Sequence, residues 1–131
     1  MYGHRDLRTL IELVGRYPMP NGWHVVIRAE WVDVSAGQPH GLDYALILQD
    51  EHEHRLLGFD NAHAADGAKE DEPFDHEHRA SAVARAVAYK FMSAGQLLSD
   101  FFDRCKEYCN RQGVEYSFEI DEVCDEAENF R

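Results

Sequence analysis

The stretch WHVVIRAEW, residues 23–31, alternates with a period of two: Trp23, Val25, Ile27, Ala29 and Trp31 fall on one side of an extended chain, His24, Arg28 and Glu30 on the other. One apolar and one polar side specify an antiparallel strand with a single buried face. Such a strand needs partners, and the chain downstream supplies them. Leu42, Tyr44, Leu46 and Leu48 repeat the alternation beyond the loop segment SAGQPHG, residues 35–41. Asp50 to Glu53 is a tight polar connection into Arg55-Leu56-Leu57-Gly58-Phe59, which predicts a hairpin. NAHAADGAKEDEP (61–73) reads as a surface loop, and DHEHRASAVA (75–84) fits a loop or a helix. Val87, Tyr89 and Phe91, alternating with Ala88, Lys90 and Met92, predict a fourth strand.

Helices flank this β region. Leu7, Leu10, Ile11 and Val14 have helical spacing, ended by Gly15 and a YPMPNG turn (17–22). Ser93 and Gln96 have the spacing of a capping box. After them Leu97, Leu98, Phe101, Phe102, Cys105, Tyr108 and Cys109 form an apolar stripe that stops at Gly113. The expected architecture is α+β: a mainly antiparallel sheet of four to five strands, with a short N-terminal and a long C-terminal helix on one face. Residues 1–113 form one domain in this reading, residues 114–120 offer a further short strand, and 114–131 make an acidic extension.

Composition narrows the function. A chain of 131 residues with 44% hydrophobic content can build a core, so wholesale disorder is excluded. Its net charge of −12 opposes a standing coat of nucleic acid or anionic membrane. Residues 60–79 carry 2 basic against 7 acidic side chains and the last eighteen carry 1 against 7, so the rest of the chain is close to neutral. The tail EIDEVCDEAENFR (119–131) suits a solvated end, a docking arm for a basic partner, or a shield over the protein's own positive site. No apolar run approaches a membrane span and MYGHRDLRTL lacks a secretory h-region, so a cytoplasmic location is expected. Three cysteines do not make a disulfide framework; Cys105 and Cys109 read as small buried hydrophobes.

Eight histidines are the compositional feature that invites chemistry. Asp60 and Asn61 end one strand, and Asp75, His76, His78 and Arg79 precede the next. If residues 56–60 and 86–92 are neighbours in the sheet, the two segments meet. Two imidazoles can then serve as acid and base, Arg79 can hold a phosphate, Asp60 or Asp75 can fix a histidine tautomer, and Asn61 can orient a substrate group. RNA brings its own 2′-hydroxyl nucleophile, so this chemistry needs no metal. The competing reading is a divalent metal on His76 and His78, completed by Asp60, Asp75 or His63. The plainest one is an Asx turn and a solvated loop. His4, His40, His52 and His54 fall in turns or near the terminus, where exposure is expected.

GFDNAH, DHEHR and AYKFMSAGQLLSDFF, in that order, resemble the TumE-like family of small bacterial and archaeal toxins over roughly residues 23–110. Asp60 and Asn61 match its first motif, Asp75, His76 and His78 its second, and Tyr89, Phe91, Leu97, Leu98, Asp100 and Phe101 its third. The resemblance implies a growth-inhibiting toxin held in check by a cognate helix-turn-helix antitoxin. Three departures stand out: a long acidic loop between the motifs, a helix ahead of the first strand, and the acidic tail. The acidic departures weigh against RNA unless they fold away from the site. The histidines, read as proton-transfer groups, give the expected function of a toxin that cleaves RNA by metal-independent acid–base catalysis. His76 and His78 would transfer protons, Arg79 would hold phosphate, and Asp60, Asn61 and Asp75 would orient. A non-enzymatic protein-binding module and a metal-dependent hydrolase are the alternatives, and a homodimer is compatible with each.

Overall fold

The alternation of residues 23–31 becomes a strand from His24 to Trp31, on which Val25 and Ile27 are fully covered while Trp31, at the far end, is exposed. The computed structural model describes residues 4–62, 73–79 and 86–118. Within them the order is α1 (His4–Glu12), β1 (Gly15–Pro18), β2 (His24–Trp31), β3 (Leu42–Gln49), β4 (Arg55–Asp60), β5 (His76–His78), β6 (Ala86–Ala88) and α2 (Ala94–Gln112). The six strands form one antiparallel meander in sequence order, so the α+β expectation holds with one or two strands more than foreseen.

The additional strands explain themselves. The YPMPNG segment is not one turn: Gly15–Pro18 pairs with β2 as an edge strand, where the missing N–H of Pro18 is tolerable. The turn is confined to Met19–Gly22, closed by Met19 N–H to the Trp23 carbonyl at 2.8 Å, and Gly22 takes φ 95°. HEH is polar at every position and gives no hydrophobic period, yet it pairs on both sides as β5. Residues 56–60 are therefore not adjacent to 86–88; β5 lies between them. The expected strand through Phe91 is cut to Ala86–Ala88. Tyr89 leaves it to donate its N–H to the Asp75 carbonyl and its hydroxyl to Asp100 at 2.6 Å.

Register sorts the side chains. Leu46, Phe59, Glu77 and Val87 are successive cross-strand partners on the inner face, and Ala45, Asp60, His76 and Ala88 on the outer. The inner face buries Val25, Ile27, Leu42, Tyr44, Leu46, Leu48, Leu57 and Phe59 with Leu7 and Leu10 of α1 and Leu97, Phe101, Cys105 and Cys109 of α2. Phe59 meets Phe101 edge-on at 6.3 Å.

The N-terminus of α2 is closed by side chains. Ser93 Oγ accepts from Gln96 N–H at 3.0 Å, and Asp6 of α1 accepts from Ala94 N–H at 2.6 Å and Gly95 N–H at 3.1 Å. At the other end Gly113, at φ 72°, takes the left-handed cap. No strand forms over 114–118; Val114, Tyr116 and Phe118 pack on the core, and burial lifts the Tyr116 phenol to about 12. No helix among the described residues is long and apolar enough to cross a membrane.

Candidate active site

On β5, His76 and His78 share the outer face because they are two residues apart, while Glu77 between them points inward and pairs with Arg104 of α2 at 3.1 Å. Asp60 is the direct cross-strand partner of His76. Strand pairing thus brings together three side chains from two distant segments. Asp60 Oδ1 lies 2.9 Å from His76 Nε2, and Asp60 Oδ2 lies 3.2 Å from His78 Nε2. The two imidazoles meet edge to face at 4.7 Å between centroids. One ligand-type atom from each residue falls within 4.8 Å of the others.

The hydrogen bonds constrain the protons. His76 is 2% exposed, and its Nδ1–H donates to the Phe74 carbonyl at 2.6 Å, because a carbonyl oxygen only accepts. Nε2 then faces Asp60. A bare lone pair against an ionised carboxylate at that range is repulsive, so a proton or another cation must lie between them. His76 is committed at both ring nitrogens, whereas the His78 side chain keeps 20% exposure at the rim. Desolvation, then the Arg55 guanidinium and the neighbouring His76, lower the His78 pKa below the ordinary 6.5, with Asp60 opposing.

The remaining expected residues go elsewhere. Asn61 is fully buried: its Nδ2–H donates to the Leu42 carbonyl at 2.7 Å and its Oδ1 accepts the Tyr44 N–H at 2.9 Å. It prolongs the β3–β4 ladder and does not face the outer surface. Asp75 alternates to the inner face, where Tyr44 O–H donates to its Oδ2 at 2.7 Å and His40 Nε2 lies 3.2 Å from the same oxygen. His40 is buried with its ring against Phe91 at 4.3 Å, contrary to the expected exposure. Burial and the Asp75 carboxylate hold the Tyr44 phenol well above its ordinary value. Arg79 follows Glu77, 3.7 Å away, and so belongs to the inner side of β5. There it borders a groove of about 720 Å³ with Arg104, Glu107 and Arg111, in which Arg104 already pairs with Glu77 and Glu107. His63 lies outside the described residues.

Beside Asp60 on the outer face runs a second groove, of about 350 Å³, lined by Arg28, Glu30, Asp43, Ala45, Ile47 and Asp60. Arg28 pairs across β2–β3 with Ala45, and Ala45 across β3–β4 with Asp60, which puts the guanidinium on the centre's own face. Its only signal in the sequence is its place on the polar side of residues 23–31. On the same face His24 accepts from Arg16 at Nδ1 (3.3 Å) and donates from Nε2 to Gln49 at 2.6 Å, a closed structural contact.

A family model described as Toxin TumE matches residues 13–109. The match begins after α1 and ends within α2, so the extra helix and the acidic tail both lie outside it. No curated protein and no solved structure matches the chain.

Proposed function

The chain belongs to the TumE toxin family, and from that premise we propose that it is the toxin of a toxin–antitoxin pair, cleaving RNA at the Asp60–His76–His78 centre. One observation supports the reading above others: two imidazoles and a carboxylate, separated in sequence by an acidic loop, meet on the sheet face that the helices leave open. Groups of this kind activate an attacking hydroxyl or protonate a departing oxygen near neutral pH. The Arg28 guanidinium, across the groove, is placed to meet the phosphate in the role that Arg79 was expected to fill. The cognate partner would be a helix-turn-helix antitoxin met in the cytoplasm, restraining the toxin by covering the groove.

The test is growth arrest on expression of the chain alone, with RNA degradation by the purified protein. Asp60→Asn and His78→Gln should abolish both, and Arg28→Ala should weaken RNA turnover far more than Arg79→Ala. Growth arrest that survives Asp60→Asn and His78→Gln, with no RNA degradation, would replace a nuclease by a toxin that acts through protein contact.

A further inference from the structure

We infer that Asp60, His76 and His78 form a binding site for one divalent first-row transition ion, zinc by preference, through the Asp60 carboxylate and the two Nε2 atoms. The inference deepens the proposed RNA-cleaving centre and rests on that reading for its role, though not for its geometry.

Donor spacing is the first argument. Zinc bonds nitrogen and carboxylate oxygen at about 2.0–2.2 Å, so donors of a tetrahedral site stand roughly 3.3–3.6 Å apart. The carboxylate–imidazole separations here are 2.9 Å from Oδ1 to His76 and 3.2 Å from Oδ2 to His78, and one ligand atom from each residue lies within 4.8 Å of the others, so small side-chain rotations bring the three onto one ion. The second argument is the His76 tautomer. Donation of Nδ1–H to the Phe74 carbonyl leaves Nε2 as the coordinating nitrogen, the arrangement by which an outer hydrogen bond orients a metal-bound imidazole. Phe74 is two residues from His76, so the segment leading into β5 carries this support. The third argument is charge. Among the described residues Glu30, Asp43 and Asp60 set three carboxylates against the guanidinium of Arg28 in the adjoining groove. Those charges alone oppose a phosphate beside Arg28, and a dication at the groove's end cancels their negative excess so that Arg28 can meet it.

Two imidazoles and a carboxylate favour zinc and its neighbours over magnesium or calcium, which prefer oxygen-only shells. Three protein donors also leave a coordination position toward the groove, as in catalytic rather than structural zinc sites. The rival occupant of the same gap is a proton, held as a His76 imidazolium on Asp60.

The untagged full chain, stripped with chelator and dialysed against micromolar zinc, should retain one zinc per chain by elemental analysis. Cobalt in its place should give the visible absorption of a tetrahedral site. Asp60→Asn and His78→Gln should reduce bound metal to the buffer level while circular dichroism stays that of the wild type; the partly exposed His78 makes its variant the safer fold. Nitrogen NMR of zinc-treated wild type should show a metal-bound His76 Nε2 with the proton on Nδ1. Retention of no metal, with both His76 ring nitrogens protonated, overturns the inference, as does metal binding that both variants preserve. Zinc bound without any RNA degradation keeps the site and removes the nuclease. RNA cleavage that is unchanged in metal-free protein keeps the nuclease and overturns the ion's role in it.

Discussion

Replacing Asn61 separates structural from substrate-facing roles at the end of β4. Its side chain donates to the Leu42 carbonyl at 2.7 Å and accepts from the Tyr44 amide at 2.9 Å, in a position with no solvent exposure. Alanine strands both backbone groups. Each buried group left without a partner costs about 1–3 kcal/mol, so Asn61→Ala should lose about 2–6 kcal/mol before its small cavity is counted. At roughly 3–5 °C per kcal/mol for a chain of this length, Tm should fall by at least about 6 °C. Asn61→Asp keeps the shape but replaces the donor with an oxygen, which can reach the Leu42 carbonyl only as a protonated acid. That requirement raises the folded-state pKa. The lost stability should therefore be regained in part as pH falls from neutral toward about 4, the ordinary value of an unfolded aspartate, and be absent at neutral pH. Urea unfolding followed by tryptophan fluorescence measures both effects. If Asn61→Ala unfolds within about 0.5 kcal/mol of the wild type yet loses toxicity, the residue addresses a substrate and the ladder argument fails.

Gly58 faces His78 across β4–β5, and a Cβ there would come within 2.8 Å of the Leu46 carbonyl oxygen and 3.4 Å of Ile47 Cα. Both contacts are backbone, so Gly58→Ala should cost about 1–3 kcal/mol in urea unfolding and loosen the centre, and an unchanged midpoint would contradict the strand spacing. Asp6→Ala removes the acceptor for two amides of the α2 N-terminus and should destabilise by about 1–2 kcal/mol, whereas Asp6→Asn should recover part of the loss. Burial pushes the Cys105 and Cys109 thiols up, so iodoacetamide at pH 8 should label these two positions in step with unfolding; rapid labelling of native protein would show them accessible. Buried Cys105 and Tyr44 resist ionisation in the native state, but ionise in the unfolded chain above ordinary values of 9.0 and 10.0. Their contribution is whole below those values. It declines above them, by up to about 1.4 kcal/mol per pH unit for each group, which urea midpoints between pH 8 and 11 would register.

Elements with a strong period could be read directly. The faces of β2 and β3, the β3–β4 hairpin, the Ser93 cap and the stripe of α2 all follow from which residues are apolar and how far apart they stand, since burial of one face is a local pattern repeated along the chain. The TumE likeness was equally legible in three short ordered motifs, and the family match over residues 13–109 agrees with it. His-Glu-His has no such period, because its outward imidazoles meet a carboxylate and its inward Glu77 meets Arg104, both from elsewhere in the chain. Pairing alone makes it a strand, and the pleat alone sends Arg79 and Asp75 inward while His76 and His78 turn out. The proposed exchange of Arg79 for Arg28 has the same cause. Proximity along the chain places a residue near a motif, but its face is decided by register, and register is a property of the whole sheet.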